Sequence, residues 1–431
     1  MKKHMVLLHD VRFPKMLQKD TPPASPSMDE DIDEDGLVYV EDVDEVIEVL
    51  SRNDTGIEQE NEEEKMEEDQ PIRDDAICTF TKHQGSVFCG SLSKDGKLAV
   101  TGGEDDKAFV WSTISGETFL ECTGYEDSVI FADFNKDDSY LAVADMSGIV
   151  KVWKMIDKSL VWEYNMGDAI WLRWHTTANV LFGGSVDGEV YMWKIPSGEC
   201  KILQGYGQRA ETGVLMPDGK RLAIGYEDGS IRIMDLKSSS VSALISSDKG
   251  HNACITALDC HSDNKLLIST GVDGKTILST SHTGKVIGML QNLRSDTENN
   301  EEGSSSVEES KENWVEAAAF CKDPEFPVAA TGTLAGEIFI WDISKQVVRH
   351  EIQQESGLSK LVWKETTSLL FSAGLDGVLR CFDGRSGRLL QSFLGHTSDI
   401  LDMYISSDGN SVLTVSDDWT AKIFSISDIK V

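Results

Sequence analysis

Apolar and polar residues alternate with a period of two along much of this chain, in short runs separated by Gly, Asp, Asn and Ser. Alternation at that period predicts half-buried strands, and the breaks between them predict turns. One phrase recurs eight times: a turn built on Asp-Gly or its equivalent, an alternating stretch, and a bulky closing residue. The copies are "GGEDDKAFVW" ending at Trp111, "ADMSGIVKVW" at Trp153, "GSVDGEVYMW" at Trp193 and "GYEDGSIRIM" at Met234. They continue with "GVDGKTILS" at Ser279, "GTLAGEIFIW" at Trp341, "GLDGVLRCF" at Phe382 and "SDDWTAKIF" at Phe424. Successive closing positions lie 42, 40, 41, 45, 62, 41 and 42 residues apart.

A repeat of this length with this signature predicts an all-β fold, a single WD-repeat β-propeller with one four-stranded blade per repeat and eight blades in all. Each copy supplies three strands up to its closing residue and then a fourth, as in "GETFLECTG" (116–124) after Trp111. After Phe424 only "SISDIKV" remains, too little for a fourth strand and its turn. "AICTFTK" (76–82) has the right alternation to supply it, pairing with the last blade and closing the ring. Closure of this kind removes the open edges that invite aggregation. Loss of 76–82 is therefore expected to damage the whole domain, and loss of 1–70 is not.

The repeat also carries His, Asp and Ser/Thr, which invites a catalytic reading. His83, His251 and His396 each precede a first strand, and an Asp stands six residues before the closing position at Asp105, Asp187, Asp228, Asp273, Asp376 and Asp418. A catalytic triad is needed once, whereas these residues recur with the blades. They read as scaffold: a buried His, Asp, hydroxyl and Trp that satisfy one another within a blade, with Trp111, Trp153, Trp193 and Trp341 closing the set. The set is degraded in repeat two (Tyr125 for His, Ser147 for Asp), repeat five (Ser279 for Trp) and repeat six (Ala335 for Asp). Repeats five to seven are on that account expected to be the hardest to recognise.

Composition narrows the function. The 431 residues carry a net charge of −34, which opposes nucleic-acid or anionic-membrane binding and favours basic partners. Residues 29–75 hold 22 Asp or Glu against Arg52, Lys65 and Arg73, so residues 1–75 are expected to be a disordered N-terminal region, acidic over 29–75, ahead of the propeller at 76–431. Within it "LVYVEDVDEVIEVL" (37–50) alternates acidic and apolar residues; it reads as a solvated tail, with a short docking motif as the alternative. The long gap before Trp341 holds "SDTENNEEGSSSVEESKE" (295–312), expected to be a disordered acidic loop. Residues 1–27 are too short and interrupted in their apolar run for a signal peptide, and Met28 is a candidate alternative start.

No run is long and apolar enough to span a membrane. Eight scattered Cys without a CxxC pair point to a reducing compartment. The Gly and His patterns match no phosphate loop, metal-ligand spacing or cofactor site, so no cofactor, metal or catalytic residue is expected. The chain is expected to be a monomer and cytoplasmic, with the nucleus and the periphery of the cell membrane as further locations.

Residues 76–431 alone keep a net −18 once the flanking segments are set aside. Loops entering each first strand and turns preceding each third strand share one face of a propeller. On them lie Glu104, Asp106, Glu126, Asp127, Asp168, Glu227, Asp399 and Asp417, free of the scaffold pattern, with Trp171 and Trp419 close by. Together they predict an acidic rim that holds Lys/Arg-rich segments, the indoles adding cation–π contacts.

"TGGEDDKAFVW", "DMSGIVKVW", "MPDGKRLAIGYEDGSIRI", "RSGRLL" and "GHTSDILD" resemble the angio-associated migratory cell protein family over about residues 76–431. The resemblance implies a non-enzymatic binding protein. For the family's fungal relatives it implies a dedicated chaperone of a basic large-subunit ribosomal protein, which agrees with an acidic rim. It equally implies an adaptor role in cell migration and angiogenic signalling, the alternative reading. A heparin-binding activity suggested for the family needs basic clusters that 29–75 does not offer.

Overall fold

The computed structural model describes residues 73–293 and 314–429. The expected disordered N-terminal tail, its segment 37–50 and the insert 295–312 lie outside the described residues.

The described chain folds into eight antiparallel four-stranded sheets, each built from consecutive strands except the last. That sheet takes its fourth strand from the other end of the chain: Cys78–Phe80 pairs with Ala421–Ser425, Cys78 opposite Ile423 and Phe80 opposite Ala421. Closure thus occurs where the alternation of 76–82 placed it, through a shorter strand. The propeller also starts earlier than residue 76. The Asp75 amide donates to the Leu394 carbonyl at 2.8 Å, and Asp74 meets Lys422.

Blades pack through their inner three strands: the second strands are almost wholly buried, the innermost mix buried residues with half-buried ones that face the channel, and the outer strands are mostly exposed. The apolar cores lie between blades: Phe80, Val87, Trp111, Leu413 and Ile423 join the eighth blade to the first. Phe80 stacks on Trp111 at 4.9 Å between ring centroids, so the closing strand is packed as well as paired. Every inner strand pairs with its neighbour through a register shift at its second residue, as between Val87 and Cys89 or Ala169 and Trp171. Bulges at the rim of a sheet re-aim side chains. Here the bulged residue sits where the inner strand leaves the loop-bearing end of the ring, at the mouth of the central channel.

The scaffold set is complete in one blade. The Trp111 indole N–H donates to Thr101 Oγ1 at 3.2 Å, Thr101 lies 2.9 Å from His83 Nε2, and His83 Nδ1 lies 3.1 Å from the Asp105 carboxylate. Blades five and eight keep the His and Asp: His251 with Asp273 and Ser269, and His396 with Asp418 and Thr414. Elsewhere other residues take over the same positions. Tyr206 occupies the His position of blade four and donates to Asp228 at 2.9 Å. Gln354 occupies it in blade seven and accepts from Ser372 at 2.9 Å, while Asp376 turns to Arg380. In blade two, Asp145 holds the amides of Glu126 and Ile149 at 2.9 and 2.8 Å, doing from two residues earlier what Ser147 lacks the carboxylate to do.

Two expectations change. Asp187 is exposed, and the positions that would hold it are Asn165 and Gly183, so it is not part of a buried set. Trp341 finds Thr331 Oγ1 at 2.9 Å, but Trp153 and Trp193 face Val143 and Gly183, which carry no hydroxyl; Trp153 has the Tyr125 phenol beside it instead, and the Trp193 indole nitrogen meets no partner among the described residues.

Candidate functional site: the acidic face

Strands alternate in direction within each blade, so loops into the inner strands and turns before the third strands emerge at one end of the ring. Glu104, Asp106, Glu126, Asp127, Asp168, Glu227, Asp399 and Asp417 all lie on these segments. In the described loops at this end the cations are Lys82, Lys107, Arg209 and Lys249, far outnumbered by Asp and Glu. At the other end the turns interleave both signs, as in Lys94, Asp95 and Lys97 or Asp263 and Lys265. The charge of the propeller is therefore one-sided.

The acids are not equivalent. Asp417 accepts hydroxyl hydrogen bonds from Ser86 and, at 3.3 Å, from Ser398, while the Ser86 amide points to Glu104 at 3.4 Å. These contacts draw Glu104 and Asp417 together across the ring closure. Asp399 stands beside them, its carboxyl pushed up by burial and by the charges of Asp417 and Asp376. Close, like-signed and only partly hydrated, this group favours an incoming cation. Glu126 and Asp168 are exposed on blades two and three. Asp127 is half-buried and caps the Ser128 amide at 2.7 Å. Asp106 is half-buried in a left-handed turn with φ 58°.

On blade four Glu227 is joined by Glu211, the bulged residue of the inner strand Ala210–Leu215, which pairs with Arg209 at 3.1 Å. Burial raises the Glu211 carboxyl, and the charge of Glu227 adds to it. Glu316, the bulged residue of blade six, is pushed up to about 8 by burial. Both were missed in the sequence because they sit within strands; the signal was an acid at the second position of a strand otherwise apolar.

The two indoles part company. Trp171 lies in the inner strand Ala169–Trp174 with its ring against Gly184 and Gly213 and its N–H donating to the Ala210 carbonyl at 2.9 Å. It holds blade three to blade four, and the cation–π role expected of it is not favoured by that packing. Trp419 is 54% exposed on the turn after Asp417 and Asp418.

Below the rim, inner strands place Asp133, Arg173, Asp259, Asp402 and Lys360 in the channel. Lys360 pairs with Asp402, and the Arg173 guanidinium lies within the field of Asp133, Asp259 and Asp402. Unlike the loops above it, this part of the channel carries both signs, with the acids partly matched by Lys360 and Arg173.

The model for "WD domain, G-beta repeat" matches residues 75–112, 116–154, 242–278 and 387–425. The stretch 242–278 belongs to repeat five, which was expected to be hard to recognise; its intact His251, Ser269 and Asp273 outweigh the missing Trp. Among solved structures, Saccharomyces cerevisiae Sqt1 superposes with a TM-score of 0.72 at 21% identity, covering 82% of this chain and all of that one. Chaetomium thermophilum Sqt1 bound to the N-terminus of the ribosomal protein L10 gives 0.71 at 22% identity, with the same coverage. The Saccharomyces cerevisiae protein named "Ribosome assembly protein SQT1" is 25% identical over 88% of this chain and 93% of its own length. The Homo sapiens angio-associated migratory cell protein is 43% identical over 82% of this chain and 80% of its own. This chain, an eight-bladed WD-repeat propeller, belongs to the angio-associated migratory cell protein family.

Proposed function

We propose that this protein is a non-enzymatic chaperone whose acidic face holds a Lys/Arg-rich segment of a large-subunit ribosomal protein until ribosome assembly. The observation that carries this reading is the one-sided charge: acids crowd the loop-bearing end, and the other end is balanced. A concave field of one sign steers and retains an extended basic segment, shielding it from nucleic acid and from aggregation. The names of the Saccharomyces cerevisiae relative and of the Chaetomium thermophilum complex with a ribosomal protein N-terminus support the partner class. One propeller takes one segment as a monomer, in the cytoplasm where the partner is made and in the nucleus where it is delivered.

The test is recovery of partners from cell extract on the full chain, at about 50 and about 300 mM salt. The reading expects one dominant ribosomal protein, weakened by salt and lost when Asp127, Asp168 and Asp399 are changed to Lys. Recovery of receptors or small GTPases, unchanged by those substitutions, overturns it in favour of the adaptor role in cell migration.

A further inference from the structure

The outer strands of blades four and five carry exposed apolar residues without the charges that accompany them on most other blades. The fourth strand of each blade is a sheet edge, with backbone donors and acceptors unpaired on one side. Such edges are ordinarily guarded by charge. Glu121, Glu163, Lys201, Arg349 and Arg388 guard the fourth strands of blades one, two, three, six and seven. The three-residue Cys78–Phe80 of blade eight contains no charged residue, but so short a strand offers little edge. Ser240–Ile245 of blade four and Val286–Asn292 of blade five contain none either. Instead Leu244, Ile287 and Met289 stand 49%, 38% and 51% exposed.

Cations border these edges. Lys237, Lys285 and Lys345 are exposed on the turns that enter the outer strands of blades four, five and six. The nearest acids on the same turns are already engaged. Asp235 accepts from the Ser238 hydroxyl and amide at 2.7 and 2.8 Å. Asp342 accepts from Ser344 at 2.6 Å and also pairs with Lys345 at 4.0 Å, which leaves Lys237 and Lys285 as the cations that matter here. The strip is continuous: a Cβ on Gly284 of blade five would lie 2.4 Å from the Leu244 carbonyl, and one on Gly288 would meet the Gln346 amide of blade six. Apolar residues between exposed lysines, on a strand edge without charged residues, form a surface of defined complementarity.

We propose that this flank binds an extended segment of a partner protein in which Val, Ile or Leu alternates with Asp or Glu, added as a fifth strand to the edge Val286–Asn292. Main-chain hydrogen bonds give such strand addition its affinity, and alternate side chains its specificity. The apolar side chains cover Ile287, Met289 and Leu244, and the acids reach Lys285 and Lys237. At physiological salt the screening length is about 8 Å, so these local lysines outweigh the distant acidic face. An anionic membrane carries the same two chemistries, but it is planar. It would touch a convex flank at one blade at a time while facing a chain of net −34. This surface is independent of the acidic face and of the partner proposed for it.

The test is fluorescence anisotropy of a labelled synthetic peptide of alternating Val and Glu against the full chain, with hydrogen exchange of Val286–Asn292 as the structural readout. The expected result is saturable binding, new protection of that strand, and a loss of about tenfold in affinity for Lys237→Glu/Lys285→Glu. Those lysines are exposed, so the variant keeps its thermal melt, and Asp127→Lys/Asp168→Lys/Asp399→Lys binds the peptide as the wild type does. Absence of peptide binding, unchanged affinity in the lysine variant, or capture of phosphatidylserine vesicles without peptide binding overturns the proposal.

Discussion

Lys422, in the third strand of the last blade, reaches the carboxylate of Asp74 at 2.6 Å, a partner 348 residues earlier in the chain. The same ammonium donates to Thr79 Oγ1 at 3.1 Å, so a buried cation joins the last blade to the strand that completes it. Burial alone would raise the Asp74 carboxyl; the Lys422 hydrogen bond and the Ala76 amide hold it below the usual range. Removing one partner strands a buried charge, whereas removing both does not. Asp74→Ala is expected to cost about 1–3 kcal/mol in urea unfolding, and Lys422→Met in the Asp74→Ala background to restore part of that loss. A double variant that is simply additive would assign the pair no coupling.

Deletion of residues 73–82 removes the pairing to Ala421–Ser425 and the stacking of Phe80 on Trp111 together. The exposed edge of the last blade then resembles the templates on which chains aggregate. The expected outcome is loss of cooperative melting and elution as large species in size-exclusion chromatography. A monomer with the parental melting temperature would show that the ring stays closed without its N-terminal strand.

His251 and Asp273 predict the acid limb of the stability curve. Burial would raise the Asp273 carboxyl, but the hydrogen bond and charge of His251 bring it down from 3.8 to about 2. A depressed carboxyl stabilises the fold above its unfolded value and loses that contribution as the pH falls from about 4 to about 2. The amount is about 2 kcal/mol. Asp273→Asn should lower stability at neutral pH and flatten the profile between pH 4 and 2. Parallel profiles for variant and wild type would remove His251–Asp273 from the acid transition.

In the channel the sign reverses at Asp133. Burial raises its carboxyl to about 6, with Ser91 and Arg173 lowering it only in part. A raised carboxyl favours the fold below its unfolded value and opposes it as the pH climbs through about 4 to 6. Its side chain opens on the channel and keeps part of its hydration, so the effect is discounted to about 1–2 kcal/mol. Asp133→Asn is therefore expected to stabilise the protein at pH 7.5 and to be nearly neutral at pH 4, read from urea midpoints at the two values. Destabilisation at pH 7.5 would mean that Arg173 depends on the Asp133 charge more than Asp133 suffers from burial.

What the sequence made legible was whatever repeats. The 22-residue spacing from His83 to Asp105, His251 to Asp273 and His396 to Asp418 survives because backbone geometry fixes it. The same spacing separates Tyr206 from Asp228 and Gln354 from Asp376, yet Tyr206 and Gln354 were not read as occupants of the His position, because a phenol bonding Asp228 or an amide bonding Ser372 fills the site by different chemistry. Rim acids were found from loop positions alone. Asp133, Arg173, Asp259 and Asp402 were not, since their strands read as core, and the inner strand of a propeller faces a channel that no single repeat reveals. Trp171 failed for the opposite reason: it lies near the rim, but its ring is committed to Gly184 and Gly213.

Trp419 separates binding from stability. It occupies the left-handed position of its turn with φ 68°, where Gly148, Gly188, Gly229, Gly274, Gly336 and Gly377 stand in other blades with φ from 71° to 88°. A bulky side chain there costs about 1 kcal/mol, and burial does not repay it, because the indole is 54% exposed. It follows Asp417 by two residues on the same turn, where an arginine held by that carboxylate would meet its ring. Trp419→Gly is expected to leave the melting temperature unchanged or slightly higher and to weaken a basic ribosomal segment by about tenfold. Trp419→Phe should recover part of the affinity through its ring. If Trp419→Gly binds as tightly as the wild type, the exposed indole has no part in recognition and the acids act alone.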